Sequence, residues 1–147
     1  MKDYGDFTLV LDYSKNFNQL IESGKYDRVK SDVMEKNFPW PIMAKDKKII
    51  TRANIFYFSG SYNSERIILE MKRDGYRPAN SLELLSLGAQ YPELQIGTYI
   101  IALNAVRDNK SKDVLALSHS GKKRCISTIS TPANTWIAGL RFLGVHG

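Results

Sequence analysis

The chain has 147 residues but only one cysteine, two histidines and no long apolar run. Cys125 alone excludes an intrachain disulfide and any cysteine-based zinc site. His119 and His146, without an HExxH pattern, offer no ligand spacing for a histidine metal site. Neither a metal nor a cofactor is therefore expected. The longest apolar stretches, such as Ile96 to Val106, are strand-sized, far short of the ~18 residues of a membrane span. No membrane is expected among the partners. Met1 to Asp6 shows no apolar signal-peptide core, and with a lone thiol the expected location is the cytoplasm. Phosphate-binding loops are missing too. Gly121-Lys122 is followed by Lys123, and Ala116 stands where a P-loop needs its first glycine. Gly24-Lys25 fails in the same way at Gln19, and no GxGxxG occurs.

What is present suits one domain, residues 1–147. Hydrophobic residues make up 43% of the chain, enough for a core that needs no metal or disulfide. Phe7 to Leu11 reads as a strand. Ser14 is expected to cap a helix with Phe17, Leu20 and Ile21 on its buried stripe and Gly24 at its left-handed end. Phe38-Pro39-Trp40-Pro41 must be extended, because a residue before proline is pushed out of the helical region. Ile49 to Phe58 is β-branched and aromatic, with modest contrast between its faces. Ser64 is expected to cap a second helix carrying Ile67, Ile68 and Met71 inward, with Gly75 as its stop. Asn80 caps a third, with Glu83 completing a capping box and Tyr91-Pro92 ending it. Four strand-length segments follow, Thr98–Leu103, Asp113–Leu117, Lys123–Ile129 and Leu140–Val145. Asp108-Asn109 and Ser120-Gly121 supply turns between them. Helices early and strands late point to α+β: two or three helices on an antiparallel sheet concentrated in the C-terminal half.

Charge is the strongest functional signal. The net is +6, and it is uneven. Residues 104–147 carry seven basic side chains against two acidic ones. Arg107, Lys110, Lys112, Lys122, Lys123 and Arg124 gather around the two proposed turns. Lys45, Lys47, Lys48 and Arg52 form a second group. Such asymmetry suits a polyanion or an acidic protein. It also suits a solvated sheet edge, where lysines block unwanted strand pairing. Single-stranded nucleic acid would further require exposed aromatics for stacking, and Trp136 and Tyr99 are available.

Catalytic arrangements are thin. Cys125 as nucleophile and His119 as base would fall close together if residues 113–129 form a hairpin, with Asn104 or Asn134 to orient the ring. A lone cysteine usually serves as a small hydrophobe. Glu70 and Asp74 share a helix face, but Arg66 and Arg73 flank Glu70 at i,i+4 and i,i+3 spacing, as in a solvated charge network.

Two resemblances add to this reading. Gly75-Tyr76-Arg77-Pro78-Ala79-Asn80-Ser81-Leu82-Glu83-Leu84-Leu85, with Trp136 and Leu140-Arg141-Phe142-Leu143-Gly144-Val145, resembles bacterial C-type-lectin-like domains of the formylglycine-generating-enzyme-like group. The likeness covers residues 75–147 and implies a C-type-lectin-like arrangement. The calcium motifs and paired catalytic cysteines of that group are absent, so it implies neither calcium-dependent sugar binding nor oxidase chemistry. Across nearly the whole chain, Gly24-Lys25-Tyr26-Asp27, Asn37-Phe38-Pro39, the same Gly75–Leu85 segment, Tyr91-Pro92-Glu93-Leu94-Gln95, Ile101-Ala102-Leu103 and Arg141-Phe142 are similar to small hypothetical proteins of reduced-genome, candidate-phylum bacteria. This second likeness implies a cytoplasmic bacterial protein and assigns no site residues.

The expectation is a non-enzymatic binding module for a protein or anionic partner. It would use loops 104–112, 118–124 and 130–139, with Arg107, Lys110, Lys112, Lys122, Lys123, Arg124 and Trp136 as binding residues. Sequence-independent nucleic-acid binding is the alternative, and a Cys/His hydrolase or transferase the third reading.

Overall fold

The structure is a computed structural model, and it describes residues 6–40, 47–107 and 112–147. Three helices and one eight-stranded sheet are formed by these residues, an α+β fold. The strands are β1 (Phe7–Asp12), β2 (Arg28–Val29), β3 (Lys48–Tyr57), β4 (Tyr76–Pro78), β5 (Ile100–Val106), β6 (Asp113–Ser120), β7 (Lys123–Ser130) and β8 (Arg141–His146). The helices are α1 (Phe17–Gly24), α2 (Ser64–Arg73) and α3 (Ser81–Gln90). Strand order is β1-β3-β8-β5-β6-β7-β2, with β4 pairing on β8.

The sheet is less C-terminal than its sequence suggests. β3 is long enough to serve two partners. Its first half pairs antiparallel with β1 and its second half with β8. The last strand in sequence, β8, therefore sits in the middle. Pairing is mostly antiparallel, but β5 runs parallel to β8 and β2 parallel to β7.

Both faces of the sheet are covered. On one face α1 and α3 pack Phe17, Leu20, Leu82 and Leu85 against Leu9, Ile55, Leu117 and Leu143. On the other, α2 brings Ile67 and Met71 to Phe56, Ile101 and Phe142, and the 131–140 connection adds Trp136. Successive strand residues point to opposite faces. With both faces buried, an apolar/polar alternation is lost, which explains the weak contrast along β3.

The helix starts differ from expectation by one or two residues. Asn16, not Ser14, caps α1. Its side chain accepts from the Gln19 N–H while Gln19 Oε1 accepts from the Asn16 N–H. Ser14 instead donates to the Asp12 carboxylate. Asn63, not Ser64, caps α2, which frees the Ser64 hydroxyl for Trp136. At the end of α1 the left-handed residue is Lys25, at φ 50°. Gly24 is held for a different reason: a Cβ there would lie 2.3 Å from the Tyr26 ring. The Asn80–Glu83 capping box is present.

Candidate functional site

The β6–β7 hairpin turns on Gly121 and Lys122, with Ser120 facing Lys123 across the ladder. Gly121 takes φ +61° at the first turn position, the conformation of a type II′ turn and one that suits glycine. This turn lifts Lys122 and Lys123 into solvent. At the other end of the hairpin Asp113 faces Ser130, and Lys112 lies just beyond. Eight-residue strands put roughly 25 Å between the two ends. The basic residues that are neighbours in sequence are thus divided between opposite ends of a hairpin and do not make one surface. Lys110 and Lys45 lie outside the described residues.

Arg124 is not a surface cation. Its guanidinium donates to the carbonyls of Gly24 at the end of α1, Gly88 near the end of α3 and Pro92, and to Gln95 Oε1. It also stacks over the Tyr26 ring, 4.7 Å from the centroid. Helix ends leave carbonyls without partners, and Arg124 satisfies two helices at once while β7 carries it. Gln95, fully buried, passes the tie onward by donating to the carbonyls of Ser118 and Cys125. Trp136 is likewise internal. It is 3% exposed, its indole N–H donates to Ser64 Oγ at 2.8 Å, and its ring meets Phe142 edge-on. A ring so placed offers no face to an external base. Arg107 is half-buried and pairs with Asp32 and Asp113.

Residues from the first half of the chain replace the lost members at the turn. β2 is only two residues long, yet it places Arg28 beside Cys125 on the outer edge of β7. Asp27 fixes this alignment: its N–H donates to the Arg124 carbonyl and its carboxylate accepts the Arg124 N–H. Lys25 precedes it on the same connection. Lys25, Arg28, Lys122 and Lys123 are all exposed and have no ion pair among the described residues. Tyr99, 38% exposed, stands edge-on to His119, whose ring contacts the Gly121 carbonyl at the turn. No sequence signal marks β2, since two residues carry no periodicity. The grouping exists only through its parallel pairing with β7.

The Cys125–His119 pair is not assembled. The register sets Cys125 opposite Ser118 and His119 opposite Arg124, so the thiol and the imidazole point to opposite faces of the hairpin. Glu70 accepts from Arg66 at 3.0 Å and Arg73 at 3.2 Å. Hydrogen bonding to Arg66 first, and the charges of both arginines, lower its pKa. That carboxylate belongs to a solvated helix face. His146 lies elsewhere, against Arg52 on β3. Among the described residues no cluster of His, Cys, Asp or Glu is arranged to hold a metal ion. No helix among them is long and apolar enough to cross a membrane.

Comparison with protein-family models, curated proteins and solved structures finds no match.

Proposed function

We propose that the protein is a non-enzymatic binding module for an anionic partner, contacted by Lys25, Arg28, Lys122 and Lys123 at the hairpin turn and the β2 edge. The observation that carries this reading is that two distant chain segments bring four exposed cations, with no ion pair among the described residues, to the Lys123–Cys125 end of β7. Arg124 and Asp27 anchor that support from beneath. Phosphate or carboxylate groups on a partner would displace counterions there, so binding must weaken as salt rises. The variant Lys122→Glu/Lys123→Glu is expected to lose retention on immobilised heparin while keeping its thermal midpoint. Retention equal to the wild type would refute the reading.

Single-stranded nucleic acid is the second reading, favoured by Tyr99 beside His119 near the same turn. Base stacking on an aromatic ring contributes roughly 1–3 kcal/mol per base. Tyr99→Ala should therefore weaken oligonucleotide binding and leave heparin binding unchanged. For residues 75–147 we retain the C-type-lectin-like arrangement as a scaffold reading. It is supported by α3 beginning directly after the Gly75–Asn80 segment and by Trp136 packing on Phe142 of the strand that follows it.

A further inference from the structure

A second polar site lies at the opposite end of the hairpin. An open cleft of about 480 Å³ is lined by Ser31, Asp32, Met34, Lys36, Asn37 and Arg107. Its walls are held from behind. The Arg107 N–H donates to the Asp113 carbonyl, and one guanidinium nitrogen, Nη1, lies 3.2 Å from Asp32 Oδ2 and 3.6 Å from Asp113 Oδ2. Asp32 Oδ2 is fixed in turn by the Thr128 hydroxyl at 3.0 Å and the nearby Lys30 ammonium. The Nε and the second terminal nitrogen of Arg107 have no partner among the described residues. That edge of the guanidinium is the fork that takes an oxyanion through two parallel hydrogen bonds. Lys36 adds an exposed ammonium without an ion pair among the described residues.

Asn37 supplies a complementary group. It is 6% exposed, and its Nδ2 donates to the Asp32 carbonyl at 2.9 Å, which fixes the orientation of the amide. Its Oδ1 is left as an acceptor with no partner among the described residues. Asp32 Oδ1 is buried and has none among the described residues either. A buried acceptor without a donor is uncommon, so this wall holds more acceptor capacity than the protein fills. Met34 gives the same cleft one apolar surface.

We propose that this cleft binds a small hydroxylated oxyanion, a sugar phosphate or sugar acid. Its anionic end would lie on Arg107 and Lys36, a hydroxyl would donate to Asn37 Oδ1, and its carbon face would rest on Met34. The site is independent of the cations at the turn. Calorimetric titration at fixed ionic strength with ribose 5-phosphate, gluconate, inorganic phosphate and ribose tests it. Saturable binding of ribose 5-phosphate or gluconate is expected, with inorganic phosphate at least about tenfold weaker and ribose silent. Arg107→Lys keeps the charge that Asp32 and Asp113 need but removes the fork, and should weaken binding by about tenfold or more. Lys36→Ala, a substitution at an exposed position, should weaken it several-fold. Lys122→Glu/Lys123→Glu should bind as the wild type does. The proposal is overturned by no saturable binding, by inorganic phosphate binding as tightly as its sugar ester, by unchanged affinity in both cleft variants, or by loss of binding in the turn variant.

Discussion

Tyr26 and Gly88 show how one residue constrains another far along the chain. The Tyr26 hydroxyl is buried without a hydrogen-bond partner among the described residues. Its pKa is pushed up to about 12, chiefly by burial, with the Arg124 charge opposing. The neutral phenol is thus favoured in the folded state. Its contribution is complete below pH 10 and is lost as pH rises toward 12, because the unfolded chain ionises first. Two pKa units correspond to roughly 3 kcal/mol. Tyr26→Phe should flatten the fall in stability between pH 10 and 12, followed by urea midpoints, and should match or exceed wild-type stability at pH 7. A bare buried hydroxyl is a liability that phenylalanine removes. Gly88 lies against this hydroxyl, and a Cβ there would stand 2.0 Å from it. Gly88→Ala should cost about 1–3 kcal/mol through overpacking. The double variant with Tyr26→Phe should recover part of that loss, since the nearest ring carbon is 3.0 Å away.

Among the elements, the β6–β7 hairpin joins two roles that neighbouring residues divide between them. Lys122 and Lys123 extend into solvent, while Arg124, the next residue, ties α1 and α3 to β7. Exchanging charge at the first two should change stability by no more than about 0.5 kcal/mol. Arg124→Ala should cost about 3 kcal/mol or more, because it strands the buried carbonyls of Gly24 and Gly88 and the Gln95 amide oxygen at once. Denaturant melts of the two variants distinguish surface from anchor, and equal destabilisation would contradict this division. The end of α1 offers the reverse test. Lys25 holds a left-handed conformation that costs a side-chain-bearing residue about 1–2 kcal/mol. Lys25→Gly should raise the thermal midpoint and, on the proposed function, weaken heparin retention.

At the scale of the molecule, the sheet is covered by helices on both faces, and its edges are managed by different means. Along β1, Gln90 donates to the Val10 carbonyl and accepts its N–H, and the Tyr91 hydroxyl donates to the Thr8 carbonyl. Side chains from the end of α3 thus occupy backbone groups that would otherwise pair with another chain. Gln90→Ala should leave that edge open and raise the tendency to self-associate, measurable by light scattering. The opposite edge is closed by the short β2 strand, where Arg28 is exposed while the Lys30 ammonium turns back to Thr128 and Asp32. The Arg28 charge that discourages strand addition there is available to an anionic partner. Salt-dependent retention on heparin would show that the basic surface acts beyond solubility.

Much of the local structure was written into the sequence. The Asn80–Glu83 box, the Ser120-Gly121 turn and the apolar stripe of α1 depend on neighbours within four residues, so they are readable one segment at a time; on α2 the buried stripe is Ile67 and Met71, and Ile68, expected inward, is exposed because it falls off the face turned to the sheet. The α+β class followed from the order of those segments. Ser14 and Ser64 have the residue type of a cap, but asparagine one or two residues away forms the same hydrogen bond, and only the backbone path decides between them. The site was far less legible. Charge counts pointed to residues 104–124, but alternation along β7 turned Arg124 inward, and the hairpin's length separated Lys112 from Lys122. Trp136 was drawn into the core by α2. Lys25, Arg28, Asp32 and Asn37 gained their significance from one parallel pairing across nearly a hundred residues. Sequence fixes which groups are charged and where helices and turns begin. Which cations face solvent together is decided by long-range strand order, because that order follows from burying apolar surface over the whole molecule, and no local spacing records it.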